Sequence, residues 1–364
     1  MTTEAPSLTT ALQALVDKAI GRAGGWLAFD RFMALALYAP GLGYYANDSR
    51  KFGELPSQGS DFVTAPEMSP LFGQVLAVQV ADALRATGTS EVWEFGAGSG
   101  ALAQQLLQAL GDSVSRYTIV DLSGSLRDRQ QRLLAPHGGK TRWVSELPEA
   151  MQGVVVGNEV LDAMPVKLLA RTAGAWHERG VVVDDGRLAF ADRPTELRPP
   201  LEIEGRHDYL TEIHPQAEAF IRTLADRLER GAAFFIDYGF AEGEYYHPQR
   251  YMGTLMCHRG HMADADPLEA VGQKDITAHV NFTGIALAAQ EAGLPTLGYT
   301  SQARFLMNCG LVGRMAQAPL QARIAAQRLI TEHEMGELFK VIGFHKGDFW
   351  DAVGFCEGDR SDRL

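Results

Sequence analysis

Apolar positions along the chain fall into two rhythms. Over residues 1–90 the rhythm is helical: Leu12, Leu15 and Ala19 share a spacing, as do Phe29, Phe32, Met33 and Leu37, a pattern that stops at Pro40-Gly41. Tyr38 to Ser60 reads as loop, aromatic and rich in Gly. Pro70 to Ala86 predicts a strong helix with Leu71, Phe72, Val75, Leu76, Val80 and Leu84 on one broad face, stopped by Gly88. From Glu91 short apolar runs alternate with helical stretches. Strands are predicted at Val92–Phe95, Tyr117–Val120, Arg142–Val144, Val154–Val156, Ala232–Ile236 and Leu338–Phe344. Helices are predicted over Ala101–Leu110, Ser125–Leu134 and His214–Arg230. This cadence predicts an α/β fold, a parallel sheet with helices on both faces. Residues 167–193 break the cadence and read as antiparallel hairpins turning at Asp185-Gly186, an insertion. Residues 240–280 have little periodicity and read as a long functional loop or lid. The expected organisation is an N-terminal helical region (1–90), a core (91–344) interrupted at about 167–193 and 240–280, and a C-terminal tail (345–364).

Composition narrows the classes. With 46% apolar and 21% charged residues, the 364-residue chain can bury a sizeable core, so global disorder is excluded. Thirty-three Lys and Arg against 45 Asp and Glu leave a net charge of −12. That argues against nucleic-acid binding by bulk charge and fits a cationic partner better. Cys257, Cys309 and Cys356 lie too far apart for a disulfide framework or zinc knuckle. Cys257-His258, His261 and His247 lack ordered ligand spacing, so no metal is expected. No apolar run has membrane-spanning length, and residues 1–25 read as neither secretion signal nor transit peptide, so a cytoplasmic protein is expected.

Two segments carry candidate chemistry. Glu94-Phe95-Gly96-Ala97-Gly98-Ser99-Gly100 follows a strand and opens a helix, where glycines permit a tight turn and backbone approach to a ligand. Asp121 ends the next strand, where a carboxylate can accept both hydroxyls of an adenosine ribose. Gly96, Gly98 and Ala101 also satisfy the dinucleotide pattern. The tighter spacing through Gly100, and Glu94 two residues before the first glycine, favour S-adenosylmethionine: a carboxylate suits its ammonium and repels a pyrophosphate. The second segment, Asn158-Glu159-Val160-Leu161-Asp162, follows the buried strand at 153–157, at the switch point of such a sheet. Asn158 and Glu159 read as functional. Asp162 serves a site or a helix start equally well.

The chain resembles the MidA-like methyltransferases, a group that includes the mitochondrial complex I assembly-factor arginine methyltransferase and bacterial relatives. The resemblance rests on Leu37-Tyr38-Ala39-Pro40 with Gly43-Tyr44-Tyr45, on Asp61 to Glu67, on Glu94 to Gly100, and on Gly157 to Val166. Further blocks are Ile236-Asp237-Tyr238-Gly239, Gly253-Thr254-Leu255, Arg259-Gly260-His261, Asp275 to Val280 and Leu338-Phe339-Lys340-Val341. Ser60 and Asn281 stand where the family usually has Gly and Asp. The resemblance implies a Rossmann-like class I S-adenosylmethionine-dependent fold. For the mitochondrial relative it implies symmetric dimethylation of an arginine on a complex I subunit.

That chemistry assigns roles. A carboxylate pair can hold a guanidinium in a fork and leave the target nitrogen more nucleophilic. Glu159 is the first candidate, Asp162 the second and Glu67 the third; His279 can accept a proton, although a His between Ala278 and Val280 is more often structural. Glu94, Gly96, Gly98, Gly100, Asp121 and Asn158 are the expected cofactor contacts. Tyr44, Tyr45 and Phe52 shape a channel or fill a core. The expected partner is a protein presenting an arginine. A small-molecule methyltransferase, a non-catalytic assembly factor and a nicotinamide dehydrogenase are the competing readings, and the oligomeric state stays open.

Overall fold

The computed structural model describes residues 8–47, 63–121, 124–260 and 262–364. Phe52, Ser60, Asp61 and His261 therefore lie outside the described residues. Helices α1 (Leu8–Arg22) and α2 (Phe29–Tyr38) flank the short strand β1 (Leu27–Ala28). Leu12, Phe29, Phe32, Met33 and Leu37 are fully buried, as their helical spacing requires. A short α3 (Ala65–Met68) leads into α4 (Pro70–Thr87). Ser69 Oγ accepts from the Leu71 N–H at the start of α4, and Gly88 ends it at φ 61°, the left-handed cap for which glycine is suited.

Strands and helices then alternate: β2 (Glu91–Phe95), α5 (Ala101–Leu110), β3 (Arg116–Val120), α6 (Gly124–Leu133), β4 (Thr141–Val144) and β5 (Met151–Asn158). An antiparallel insertion follows, β6 (Lys167–Thr172), β7 (Ala175–Asp184), β8 (Arg187–Pro194) and β9 (Tyr209–Ile213). Its hairpin turns at Asp185 and Gly186, both at positive φ, as the sequence predicts. Helix α7 (Pro215–Arg227) stops short of the expected Arg230, because β10 (Leu228–Phe240) already pairs Leu228 with Met151.

The stretch 240–280 is more ordered than its lack of periodicity predicts. It holds α8 (Glu242–Tyr245) and the strands β11 (Met256–Arg259), β12 (Met262–Asp264) and β13 (Asp275–Thr277), which form a small antiparallel sheet. The buried Glu212 of β9 anchors it, accepting from the N–H groups of Thr254 and Leu255 and from the hydroxyls of Thr254 and Tyr245 at 2.8–3.1 Å. Gly253 makes the turn at φ 71°, where a Cβ would lie 2.5 Å from that carboxylate. The chain closes with β14 (Val280–Asn281), α9 (Phe282–Glu291), β15 (Thr296–Ser301), α10 (Gln302–Asn308), α11 (Leu311–Gln317), α12 (Leu320–Ile330) and β16 (Phe339–Lys346).

The main sheet runs β15-β16-β10-β5-β2-β3-β4. The five strands from β10 to β4 are parallel, whereas β16 lies antiparallel between β10 and β15. Val154 and Val156 pack with α4, α5 and α10 on one face; Val155 packs with α7 and α9 on the other. A third core joins α1 and α2 to the insertion sheet and to Cys257, Ile276 and Ala278. Strand β1 pairs with β7, and Lys167 bridges Asp30 of α2 (3.3 Å) and Glu178 of β7 (2.7 Å). Tyr38 at the end of α2 donates to the Ala163 carbonyl at 2.8 Å, so this lobe sits beside the segment that follows β5.

Candidate active site

Strand order reverses between β2 and β5, and their carboxyl ends open into a cavity of about 1170 Å³. On the β2–β3 side the glycine loop lines it. Gly96, Gly98 and Gly100 have φ 61°, 51° and 87°. Each is left-handed, so the turn demands glycine. A Cβ on Gly96 would press on Val160 at 3.2 Å. Gly96 and Gly98 line the cavity, and Gly100 sets the N-cap of α5. Glu94 is buried and accepts from the Tyr117 hydroxyl at 2.8 Å. Burial, opposed by that hydrogen bond and aided by the Asp121 charge, pushes its pKa up to about 8. Asp121 ends β3 and also lines the cavity.

On the β5–β10 side several separate segments meet. Glu159 follows β5 directly with φ 54°, an uncommon backbone state for a non-glycine residue. Its N–H donates to the Ile236 carbonyl (2.9 Å), which ties this conformation to β10, and its carboxylate accepts from Asn158 Nδ2 at 3.0 Å. Burial first, then the neighbouring Asp162, push the Glu159 pKa up to about 8. Asp162, 4% exposed, is pushed up to about 6 by burial, against a hydrogen bond from Tyr238. His279 is pushed down to about 4 by burial and by the cations Arg250 and Lys340, so it is neutral at physiological pH. Among the described residues Asn158 Oδ1, Asp162 Oδ1 and His279 Nδ1 are buried without a hydrogen-bond partner, and all three residues line the cavity. The orphaned Asn158 and Asp162 oxygens call for a ligand rich in N–H donors.

Glu67 sits on α3 outside the cavity wall; its neighbours Thr64 and Pro66 line the cavity, and its charge reaches Glu159. Tyr45 lines the cavity, whereas Tyr44 is fully buried with its ring edge-on to Tyr45 at 5.0 Å. His258 borders the cavity while Cys257 is buried in the lobe core. Among the described residues no group of three or more His, Cys, Asp or Glu is arranged to hold a metal ion.

Three residues here had no role read from sequence. Asp237, at the end of the predicted strand 232–236, gathers the N–H groups of Val160, Leu161 and Asp162 on Oδ2 (3.1, 2.9 and 3.2 Å) and that of Tyr238 on Oδ1 (2.9 Å). Burial first, then the charges of Asp162 and Glu159, raise its pKa, against the hydrogen bonds it accepts from the Leu161 and Asp162 N–H groups. Tyr238 contacts Asp162, and Asp275 accepts from the Tyr45 hydroxyl on both oxygens (2.8 and 2.9 Å). An acid closing an apolar strand was the available signal for Asp237; nothing local marks Asp275.

This sheet order, with a glycine loop at its switch point and an acid closing the next strand, defines a class I methyltransferase fold. The profile of a family described as "putative S-adenosyl-L-methionine-dependent methyltransferase" matches residues 75–300. The chain belongs to this family, the MidA-like methyltransferases, and its cofactor is S-adenosylmethionine. A Burkholderia thailandensis protein crystallised with S-adenosyl-homocysteine is 50% identical, with TM-score 0.94 and full coverage of both chains. A native structure from the same organism is 48% identical, with TM-score 0.89 and full coverage of both. The mitochondrial protein arginine methyltransferase NDUFAF7 of Danio rerio is 28% identical over 90% of this chain and 85% of its own length. The human counterpart is 26% identical over 80% of this chain and 71% of its own length. Among the described residues no helix is long and apolar enough to cross a membrane.

The residues present fit that cofactor. The left-handed glycines bring the loop's backbone to the cavity surface, a buried carboxylate and the orphaned Asn158 oxygen suit an ammonium, and Asp121 suits vicinal hydroxyls.

Proposed function

We propose that this enzyme methylates arginine side chains of a protein substrate. One observation carries the reading: Glu159 and Asp162 crowd one buried wall of the cofactor cavity with Asp237 bonded to the backbone behind them, and burial first, then the Asp162 charge, raises the Glu159 pKa. Such a wall stays partly protonated when empty and ionises when a cation arrives. A guanidinium stays charged at any relevant pH and carries five N–H donors in a fixed fork. Glu159 and Asp162 would hold that fork, with the orphaned Asp162 Oδ1 as one acceptor. Asp237 keeps their backbone in register through its three bonds to residues 160–162.

Glu94 and Asn158 would hold the ammonium of S-adenosylmethionine, Asp121 its ribose, and the backbone at Gly96 and Gly98 would line its path. When bound, the cofactor supplies an electrophilic methyl group. The chain's own contribution is to fix the target nitrogen in line, exclude water and take up the proton that nitrogen loses. Asp162, with a pKa near 6, is better matched to that transfer than His279, which serves as a neutral polar wall. Glu67, which does not line the cavity, adds a like charge that raises the Glu159 pKa further.

The likeness to relatives named protein arginine methyltransferases supports the substrate class, and the family resemblance points further, to symmetric dimethylation on a respiratory complex I subunit. The test is labelled methyl transfer from S-adenosylmethionine into a proteome lacking this enzyme, followed by methylarginine mass spectrometry. Label in symmetric dimethylarginine of complex I polypeptides is expected. Label confined to metabolites would replace the reading with a small-molecule methyltransferase.

A further inference from the structure

Gln130, on the inward face of α6, is fully buried at 0% exposure. Its amide touches three separate segments. Nε2 donates to the Gly98 carbonyl at 3.0 Å and to Asp121 Oδ2 at 2.9 Å. Oε1 accepts from the Trp143 indole N–H of β4 at 2.9 Å. An indole N–H only donates and a carbonyl only accepts, so these partners fix which way the amide faces. The fit is close: a Cβ on Gly100 would lie 3.4 Å from Gln130 Cγ.

We infer that Gln130 is a positioning residue that sets the distance between the glycine loop and Asp121, and thereby makes ribose recognition depend on both. The inference rests on the reading of Asp121 as the ribose-binding acid. The Nε2 donor occupies Oδ2 of Asp121 and restrains its carboxylate, while the same amide pins the Gly98 carbonyl. An acid free to rotate would need ordering on every binding event; one held by Gln130 is already set. Trp143 acts one step further out by holding the amide.

The test compares the affinity of S-adenosyl-homocysteine with that of its 2′-deoxyribose analogue, by calorimetry on the full chain. Wild type is expected to prefer the hydroxylated ligand by about tenfold or more, the value of a charge-assisted hydrogen bond. Gln130→Met should weaken S-adenosyl-homocysteine by about tenfold and leave the deoxy analogue nearly unchanged, so the preference collapses. Gln130→Glu should weaken it further at neutral pH, where the introduced carboxyl faces Asp121, and recover as pH falls and a donor returns. Trp143→Phe leaves the amide in place and should reduce the preference by roughly two- to threefold, which keeps the idea testable if Gln130 variants fold poorly. Asp121→Ala separates the two claims. If it keeps the preference, the reading of Asp121 falls and the inference falls with it. If Asp121→Ala abolishes the preference while Gln130→Met and Trp143→Phe retain it, or weaken both ligands equally, Gln130 is only structural and the inference is overturned.

Discussion

The two halves of the cavity are built differently. The half proposed for the cofactor comes mainly from one strand-loop-helix-strand unit, Glu94 to Asp121, joined by Asn158 from the end of β5. The half proposed for the substrate is assembled from four segments: Tyr38 with Tyr45, Glu159 with Asp162, Tyr238, and Asp275 with His279. In the first half Asp121 accepts from Gln130 and Glu94 from Tyr117. In the second, the acids Glu159 and Asp162 lie close together, and among the described residues Asp162 Oδ1 has no hydrogen-bond partner. A site for a fixed cofactor can be preset by local geometry. A site for a cationic side chain gains from charge left uncompensated until the substrate arrives, because binding then relieves it.

The contrast can be broken by mutation. The largest effect expected is from Glu159→Gln: kcat falls by about a thousandfold, the order of losing one preorganised electrostatic contact, while the S-adenosyl-homocysteine Kd stays within a few-fold. Steady-state kinetics beside calorimetry reads this; equal loss of both would merge the two halves. Gly98→Val is its counterpart. A branched residue forced to φ 51° in the cavity wall should weaken cofactor affinity by about a hundredfold, and unchanged affinity would make the loop merely structural. Asp237→Ala strands four N–H groups on the β5–β10 side and should cost about 2–4 kcal/mol of stability by denaturant unfolding, with a matching loss of kcat.

pH sharpens the comparison. Glu159 and Asp162 have folded pKa values raised to about 8 and about 6, so the folded state binds more protons than the unfolded one between about pH 4 and 8. Their contribution to stability is fully present below the unfolded value and is lost as pH rises through the folded one. The melting temperature of the ligand-free enzyme should therefore fall by a few degrees from pH 5 to 8, and Glu159→Gln should flatten that slope. Activity should run the other way, with kcat/KM rising over the same window as the carboxylates ionise. The smallest effect is expected from His279→Asn, which should leave the midpoint of that pH–rate profile in place, since His279 titrates near 4. A displaced midpoint would return His279 to the role of base.

Much of the fold was legible because its signals are local. The strand-helix cadence from Glu91, the Asp185-Gly186 turn and the Gly88 stop each follow from a few neighbouring residues. What was missed depended on pairing across the chain. Arg230 was expected in a helix, but a partner 77 residues away, Met151, draws Leu228 into β10. The 240–280 stretch looked irregular because its order comes from Glu212, whose bonds to Thr254 and Leu255 no periodicity announces. The final strand was foreseen but not its antiparallel place between β10 and β15, since direction is set by the crossover and not by composition.

The sequence by itself determined the class: glycines needing left-handed backbone, an acid two residues before them, an acid closing the next strand, and an α/β rhythm. These constraints act over a few residues, so they survive in the linear order. Only the tertiary structure decided that Asp237 underlies Glu159 and Asp162, that Asp275 and His279 border the same cavity, that Glu67 stands behind its wall, and that Gln130 joins Gly98 to Asp121. The reason is physical: a buried charge or hydrogen bond is set by distance in space, and folding brings together residues that the chain keeps far apart.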